Sequence, residues 1–217
     1  MRFWGMVVFG VLGTAILLSL GIWQLQRLAW KQEVLRAIES KILAPAVEIP
    51  QTVLPDAHSL LPVRAEGRYK GDTVRVLVSQ KIYGAGYRLI TAFELVDGRT
   101  IMLDRGFTSV RLEMPSTPEG RGQVIGNLQW PQEIDSFTPE NDLAANIWFA
   151  RDVARLADHL KAEPVLLVLR DSSFETEAAT PLPKMTANIP NDHMNYAITW
   201  FSLALIWLGM SGYFLYR

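Results

Sequence analysis

The sequence predicts a membrane protein of the α+β class, in which two transmembrane helices flank a β-rich antiparallel domain, barrel-like or sandwich-like, with one short helix. Three observations support this prediction. Residues 3–26 and 196–216 contain no charged side chain. Each stretch reaches the roughly 20 apolar residues that cross a bilayer as a helix. Between them, short β-rich runs alternate with turn residues, as in a small β domain.

Composition narrows the class of protein further. The formal net charge is −1 and the pI is about 6.3, so no basic surface for nucleic acid is expected. The chain contains no cysteine, which excludes disulfides, thiol chemistry and thiolate metal sites. The stretch between the two apolar segments is the size of a single domain.

Residues 1–26 form the first predicted transmembrane helix. A cleaved signal peptide is the alternative, because 19–21 (Ser-Leu-Gly) is a passable cleavage site. The apolar run is longer than the roughly 7–15 residues of a signal core, however, and it continues to Trp23, a typical interfacial anchor. An uncleaved helix is therefore favoured. Because the run starts at residue 3, it leaves no room for a transit peptide, which favours a bacterial inner membrane.

The charges beside the two helices leave the orientation open. Arg217 directly follows the second segment and favours cytoplasmic termini. Arg27, Lys31 and Arg36 follow the first segment and favour the opposite orientation. The positive-inside rule is weakest across a long loop, so charge alone favours cytoplasmic termini only slightly.

Residues 27–62 are predicted to form a juxtamembrane helix followed by a proline-rich linker, and residues 63–180 the β domain. Asp97-Gly98 is a two-residue hairpin signal, since both central positions of a type I′ turn need positive φ. Loop is predicted over 141–149 and a short helix over 151–161, where apolar residues recur on one face. Strands are predicted over the following ranges: 63–69, 73–78, 87–96, 99–107, 123–130 and 164–170. Residues 181–192 form a second linker, and 193–217 the second transmembrane helix.

The β domain carries no recognisable catalytic motif. Gly84-Ala85-Gly86-Tyr87 has no helix after it, so a tight turn is predicted rather than a dinucleotide site. Asp104-Arg105 is interpreted as a structural ion pair or a turn contact. His58 and His159 lie in a linker and on a polar helix face, where they are expected to be solvated. The sequence therefore predicts that the protein is not an enzyme.

His193 stands at the start of the second transmembrane helix, where an ionisable side chain marks a candidate functional site. Helical spacing places it on one face with the following residues: Tyr196, Ala197, Trp200, Ala204 and Trp207. Imidazole is the usual haem ligand, and the rings and small alanines would suit a flat macrocycle. Interfacial aromatic residues and a helix cap at Asn191 or Asp192 would also account for this pattern, so both interpretations stay open here.

The first helix ends with two amides, Gln24 and Gln26, at the membrane edge. Glutamine at this depth can donate or accept hydrogen bonds across to a neighbouring helix. The natural neighbour is the second transmembrane helix of the same chain. Plain interfacial anchoring by Trp23 and Arg27 is the alternative.

Several blocks of this sequence together resemble the surfeit-locus family of cytochrome c oxidase assembly factors. They appear in the family's order and run from the first transmembrane helix to the second. The blocks are LGIWQLQR (20–27), GAGYRLIT (84–91), DGR (97–99), LDRGF (103–107), NIWFARD (146–152) and NDHMNYAITWF (191–201). Ala92, Thr108-Ser109 and Leu143 depart from the family pattern at loop or strand-end positions, which bears on the subfamily more than on membership.

The resemblance implies a two-helix protein of the bacterial inner membrane, with cytoplasmic termini and a periplasmic domain. It implies a chaperone that carries haem a from haem a synthase to subunit I of the oxidase. His193 matches the family's candidate axial ligand to the haem iron. Tyr196 and Trp200 are then expected to pack on the macrocycle, with the first helix closing the other side.

Two other functions compete with the haem a chaperone. In the first, the β domain is a protein-interaction scaffold for oxidase assembly, without direct haem transfer. In the second, the chain is a haem-modifying membrane enzyme. The second is weaker, because such enzymes usually need several intramembrane histidines or carboxylates, and this chain offers one such histidine.

Overall fold

The computed structural model describes residues 2–81, 83–175, 179–183 and 189–217. It divides into a helix unit, Met1–Glu39 with Met185–Arg217, and a barrel unit, Ser40–Lys184. In chain order the elements are α1 (Arg2–Ile42), β1 (Val47–Glu48), α2 (Pro55–His58), β2 (Pro62–Gln80), β3 (Gly84–Leu95), β4 (Thr100–Ser109), β5 (Gly122–Gln129), β6 (Ile147–Trp148), α3 (Val153–Leu160), β7 (Leu166–Ser172) and α4 (His193–Tyr216). This confirms the predicted class, with a long apolar helix at each end of a sheet-rich domain.

Both terminal helices are long and apolar enough to cross a membrane. The first of them continues without a break from the charge-free stretch through the predicted juxtamembrane helix to Ile42. It ends three residues before Pro45, which cannot continue a helix. Asp192 is the N-cap residue of α4, but its side chain makes no capping hydrogen bond. Side-chain capping therefore does not account for the residues that precede His193.

The barrel unit is a sheet closed on itself. Neighbouring strands follow the order β2, β3, β4, β7, β5, and β5 pairs again with β2. The β4–β7 pairing is parallel, and the other pairings in this ring are antiparallel. The two-residue strands β1 and β6 add parallel pairs to β2. Closure removes the exposed sheet edges that would invite aggregation.

Strands β3, β4 and β7 are buried on both faces, which explains their nearly continuous apolar sequences. One set of alternating residues forms the barrel interior, including Phe93, Leu103 and Leu167. The other set packs under α3, including Met102 and Val168. Helix α3 presents Val153, Leu156 and Ala157 to this second core, and Asp152 caps it by accepting hydrogen bonds from the backbone N–H groups of Ala154 and Arg155. The predicted short helix is confirmed.

The predicted break between strands 63–69 and 73–78 is wrong, whereas the predicted hairpin at Asp97-Gly98 is confirmed with a different turn. The predicted strands 63–69 and 73–78 are one strand, β2, with an irregularity between Lys70 and Thr73, where Gly71 takes a φ of +71°. In the β3–β4 hairpin only Gly98 has positive φ, at +88°. The connection is a three-residue loop, closed by the Leu95 N–H donating to Arg99 O at 2.8 Å and the Gly98 N–H donating to Leu95 O at 3.0 Å. A single left-handed glycine is what such a loop requires.

Gly84-Ala85-Gly86-Tyr87 also differs from the predicted tight turn. Gly84 opens β3 with a φ of +77°, and the other three residues lie within the strand. A Cβ on Gly86 would lie 2.2 Å from the Phe107 ring and 2.3 Å from Thr108 O. Glycine is therefore needed here because β4 approaches closely.

Candidate ligand site on the helix pair

His193 is the first residue of α4, and its ring is half-buried against α1. The Nδ1 atom lies 2.8 Å from Oε1 of Gln24. An amide oxygen is only an acceptor, so this bond places the ring hydrogen on Nδ1. The lone pair of the neutral imidazole then lies on Nε2, the nitrogen left for a ligand. Gln24 itself is buried, with 9% of its surface exposed.

Helices α1 and α4 pack antiparallel through small residues. A Cβ on Gly10 would lie 3.0 Å from Cβ of Ser211, and one on Gly13 would lie 2.4 Å from Nε1 of Trp207. Trp207 also donates from Nε1 to Gly10 O at 3.1 Å. Glycine on α1 therefore lets aromatic rings of α4 approach the α1 backbone, the packing typical of membrane helices.

Some of the residues predicted to share one face of α4 with His193 pack against α1. Ala197 and Ala204 are the buried residues of this helix, with 1% and 3% exposure. Trp200 is half-buried, whereas Tyr196 is 56% exposed and lies outside the contact. The two alanines thus serve the contact with α1, while Tyr196 remains open to the surroundings of the helix pair.

The donor set of this site suits a prosthetic group that brings most of its own ligands. Within the described residues, no group of three or more histidine, aspartate or glutamate side chains could hold a metal ion. A bare ion would need such a group. Haem iron takes its four equatorial ligands from the macrocycle and requires only axial ligands from protein. His193, with Nδ1 hydrogen-bonded and Nε2 without a hydrogen-bond partner among the described residues, fits that requirement.

The other two histidines have structural contacts in the barrel unit. Nδ1 of His58 accepts a hydrogen bond at 2.9 Å from the backbone N–H of Leu54, which precedes α2. His159 is exposed and packs edge-on against Trp148, with ring centroids 5.4 Å apart. Neither ring belongs to a cluster of metal-ligating side chains among the residues described.

Asp104 is fully buried in β4 at the centre of a charged cluster in the barrel unit. Arg105, the next residue of β4, is not its partner and donates instead to Ser116 O at 2.9 Å. Asp104 Oδ2 accepts from Nε of Arg88 at 2.7 Å and from a terminal guanidinium nitrogen of Arg151 at 3.3 Å. Oδ1 accepts from the backbone N–H of Gly106 at 3.1 Å. The predicted ion pair was therefore assigned the wrong partner, and the contact between Asp104 and Gly106 lies within β4 rather than in a turn.

The same cluster holds the segment that follows β7. The Arg88 guanidinium donates to Leu182 O at 3.0 Å. Thr180 pairs with Phe107 at the end of β4 through two backbone hydrogen bonds of 2.7 and 2.9 Å. At Gly106, φ is +112° and a Cβ would lie 2.1 Å from Thr180 O, so only glycine allows this approach. The charged cluster and the backbone pairing together hold this segment against β3 and β4.

Glu133 links the buried cluster to acid stability. Burial opposes ionisation of its carboxyl group, but hydrogen bonds and the charge of Arg151 outweigh burial and hold the pKa of Glu133 below its usual value of 4.5. A carboxyl group whose pKa is lower in the folded protein than in the unfolded chain stabilises the fold at pH values above its unfolded-state pKa. This stabilisation is lost as the pH falls through the folded-state pKa. We therefore expect the barrel of Glu133→Gln to lose less stability than the parent barrel as the pH falls below about 4.5.

This pH dependence can be measured by urea unfolding of the full chain in detergent at a series of pH values. Glu48→Gln is the control, because it removes one exposed carboxylate that pairs with Arg64 at the surface. The control should keep the acid profile of the parent protein. An unchanged profile in Glu133→Gln as well would contradict the assigned role.

These features define a class of protein, a closed β-barrel attached to two membrane-length helices that hold one ligand-type histidine. The profile of the SURF1 family matches residues 11–205. The chain is 30% identical to the SURF1-like protein of Rickettsia prowazekii, over 96% of this chain and 88% of that one. It is 27% identical to the SURF1-like protein of Rickettsia felis, covering 88% of each chain. It is 29% identical to Surfeit locus protein 1 of Homo sapiens, over 86% of this chain and 69% of that one.

The chain therefore belongs to the SURF1 family. This is the surfeit-locus family that the sequence blocks resemble, a family of cytochrome oxidase assembly factors. The match extends from within α1 into α4 and so covers part of each helix and the whole barrel unit.

Proposed function

We propose that this protein is a haem a chaperone that binds haem a within the membrane and passes it to subunit I of cytochrome c oxidase. His193 is the axial ligand to the haem iron, and Trp200 and Tyr196 pack on the macrocycle. The observation that carries the proposal is the hydrogen bond from His193 to Gln24, because it engages Nδ1 and leaves the Nε2 lone pair for a ligand.

Several properties of the chain support this assignment. Haem a is nearly insoluble in water, so a site between two membrane helices keeps it in an apolar solvent during transfer. One axial ligand from the chain leaves the other side of the iron available to a receiving protein. The protein supplies binding and orientation, and no catalytic step is assigned to it. Haem a synthase is the proposed donor.

We place the protein in the bacterial inner membrane, with both termini in the cytoplasm and the barrel unit in the periplasm. The two membrane-length helices support anchoring. An even number of crossings puts both termini on the same side. The side itself rests on the family resemblance and on Arg217 next to the second helix.

The test is co-expression with the enzymes of haem a synthesis, followed by purification in detergent. The reduced absorption spectrum of the parent protein is compared with that of His193→Ala. We expect near-stoichiometric haem a in the parent and a lost or shifted band in the variant, while the barrel remains folded. Full haem occupancy in His193→Ala would overturn the ligand assignment. No haem in either protein would favour a scaffold for oxidase assembly instead.

A further inference from the structure

We propose that Gln24 is the positioning residue for His193, fixing the tautomer and the ring orientation in which Nε2 binds the ligand. This inference deepens the proposed function and rests on it. The contact joins the two helices across 169 positions of sequence, with Oε1 of Gln24 and Nδ1 of His193 2.8 Å apart. It is a polar contact between two side chains, and the helix surfaces around it consist of small and apolar residues.

Burial distinguishes Gln24 from Gln26, the other glutamine near the same point of α1. Gln24 is 9% exposed, whereas Gln26, two residues further along α1, is exposed. Successive residues of a helix are separated by about 100°, so two glutamines two positions apart point to nearly opposite sides. Only Gln24 faces α4. A buried amide without a hydrogen-bond partner destabilises the folded state, so the bond to His193 is expected to persist.

The chemistry of the bond explains its use. Without a partner, a neutral imidazole can carry its hydrogen on either nitrogen. A carbonyl-type oxygen at Nδ1 selects the form with the lone pair on Nε2 and makes that nitrogen more basic. Metal-binding histidines generally have such a partner at the second nitrogen, and its loss typically lowers metal affinity by about 10–100-fold. A neutral amide is a weaker acceptor than a carboxylate, so Gln24 gives His193 an intermediate donor strength, suited to a ligand that must be released.

The first arm of the test needs no haem. Nitrogen-15 NMR of the histidine rings in the full chain distinguishes the two tautomers, and His193→Ala identifies the signal among the three histidines. We expect the Nδ1–H form in the parent and its loss in Gln24→Leu. Gln24→Glu keeps an acceptor oxygen and should keep the Nδ1–H form. Gln26→Leu is the matched control and should match the parent. The Nδ1–H form persisting in Gln24→Leu would overturn the proposal.

The second arm uses protein loaded with haem a. Gln24→Leu should bind haem about 10–100-fold more weakly than the parent, and the reduction potential of the remaining haem should rise because its axial nitrogen donates less. Gln24→Glu should lower that potential. A purely structural Gln24 would leave the potential unchanged, and that result would overturn the positioning role. If the parent binds no haem, the proposed function fails, while the NMR arm still decides whether Gln24 sets the tautomer.

Discussion

Asp104→Ala is expected to destabilise the barrel by about 3–5 kcal/mol, the typical cost of removing one member of a buried ion pair. Asp104 is fully buried and accepts hydrogen bonds from Arg88, Arg151 and the backbone of Gly106. Its removal takes away the carboxylate that Arg88 contacts, whereas Arg151 keeps its ion pair with Glu133. Single domains are stable by only about 5–15 kcal/mol, so this loss is a large share of the total.

The loss can be measured by hydrogen exchange of peptides from β4 and β7 in the full chain, followed at increasing urea concentration. Asp104→Asn keeps the shape and one acceptor oxygen, and is expected to give an intermediate loss. Glu48→Ala is the control for a surface ion pair, whose side chains are 76% and 41% exposed, and should leave exchange nearly unchanged. Equal exchange in Asp104→Ala and the parent would contradict the central role of this carboxylate.

The sequence was sufficient to predict the elements that have a clear period or a clear length. Helices α1 and α4 follow from their apolar length, and β7 follows from an unbroken apolar run buried on both faces. Helix α3 follows from its apolar stripe. These signals are local, so a short window of sequence contains them completely.

The features that sequence analysis missed depend on long-range pairing. Lys70-Gly71-Asp72 separates two predicted strands, yet β2 continues through it because β3 pairs with the residues on both sides, 67–70 and 73–80. Asp104 was assigned its chain neighbour Arg105, whereas its partners stand 16 and 47 positions away. No periodicity encodes such distances. Arg88 and Arg151 did stand out as members of the family blocks, which was the available clue.

At the candidate site, the sequence could identify the residue types but could not say which of them meet. It offered two glutamines for the second helix and left anchoring as an equal alternative. The structure brings Gln24 to His193 and leaves Gln26 exposed. It also places Tyr196 outside the helix contact, although helical spacing alone grouped it with Trp200. The relative rotation of two helices depends on both surfaces at once, and one helix pattern cannot fix it.

Gly21→Leu is expected to separate α1 from α4. A Cβ at this position would lie 2.6 Å from Cε1 of Phe201, so a larger side chain cannot enter without moving a helix. Overpacking of this kind typically costs about 1–3 kcal/mol, which corresponds to a fall of about 5- to 150-fold in the population of the packed pair. Because Gln24 is one turn further along the same helix, its bond to His193 should weaken as well.

The separation can be measured by a disulfide between Gly10→Cys and Ser211→Cys. The parent chain has no cysteine, so the engineered pair has no competitor. A Cβ at position 10 would lie 3.0 Å from Cβ of Ser211, slightly closer than the roughly 3.5–4.5 Å of a disulfide. Under mild oxidant in detergent or vesicles, the pair should cross-link readily, and about tenfold more slowly when Gly21→Leu is added.

Gly5→Leu is the matched control for this experiment. It makes the same change in the same helix, but a Cβ at Gly5 meets nothing within 4 Å. If it slows cross-linking as much as Gly21→Leu does, the effect comes from α1 itself and not from its contact with α4. If only Gly21→Leu slows it, close packing through glycine holds the helix pair together. The nitrogen-15 spectrum of His193 in the same variant then shows whether that packing also maintains the hydrogen bond to Gln24.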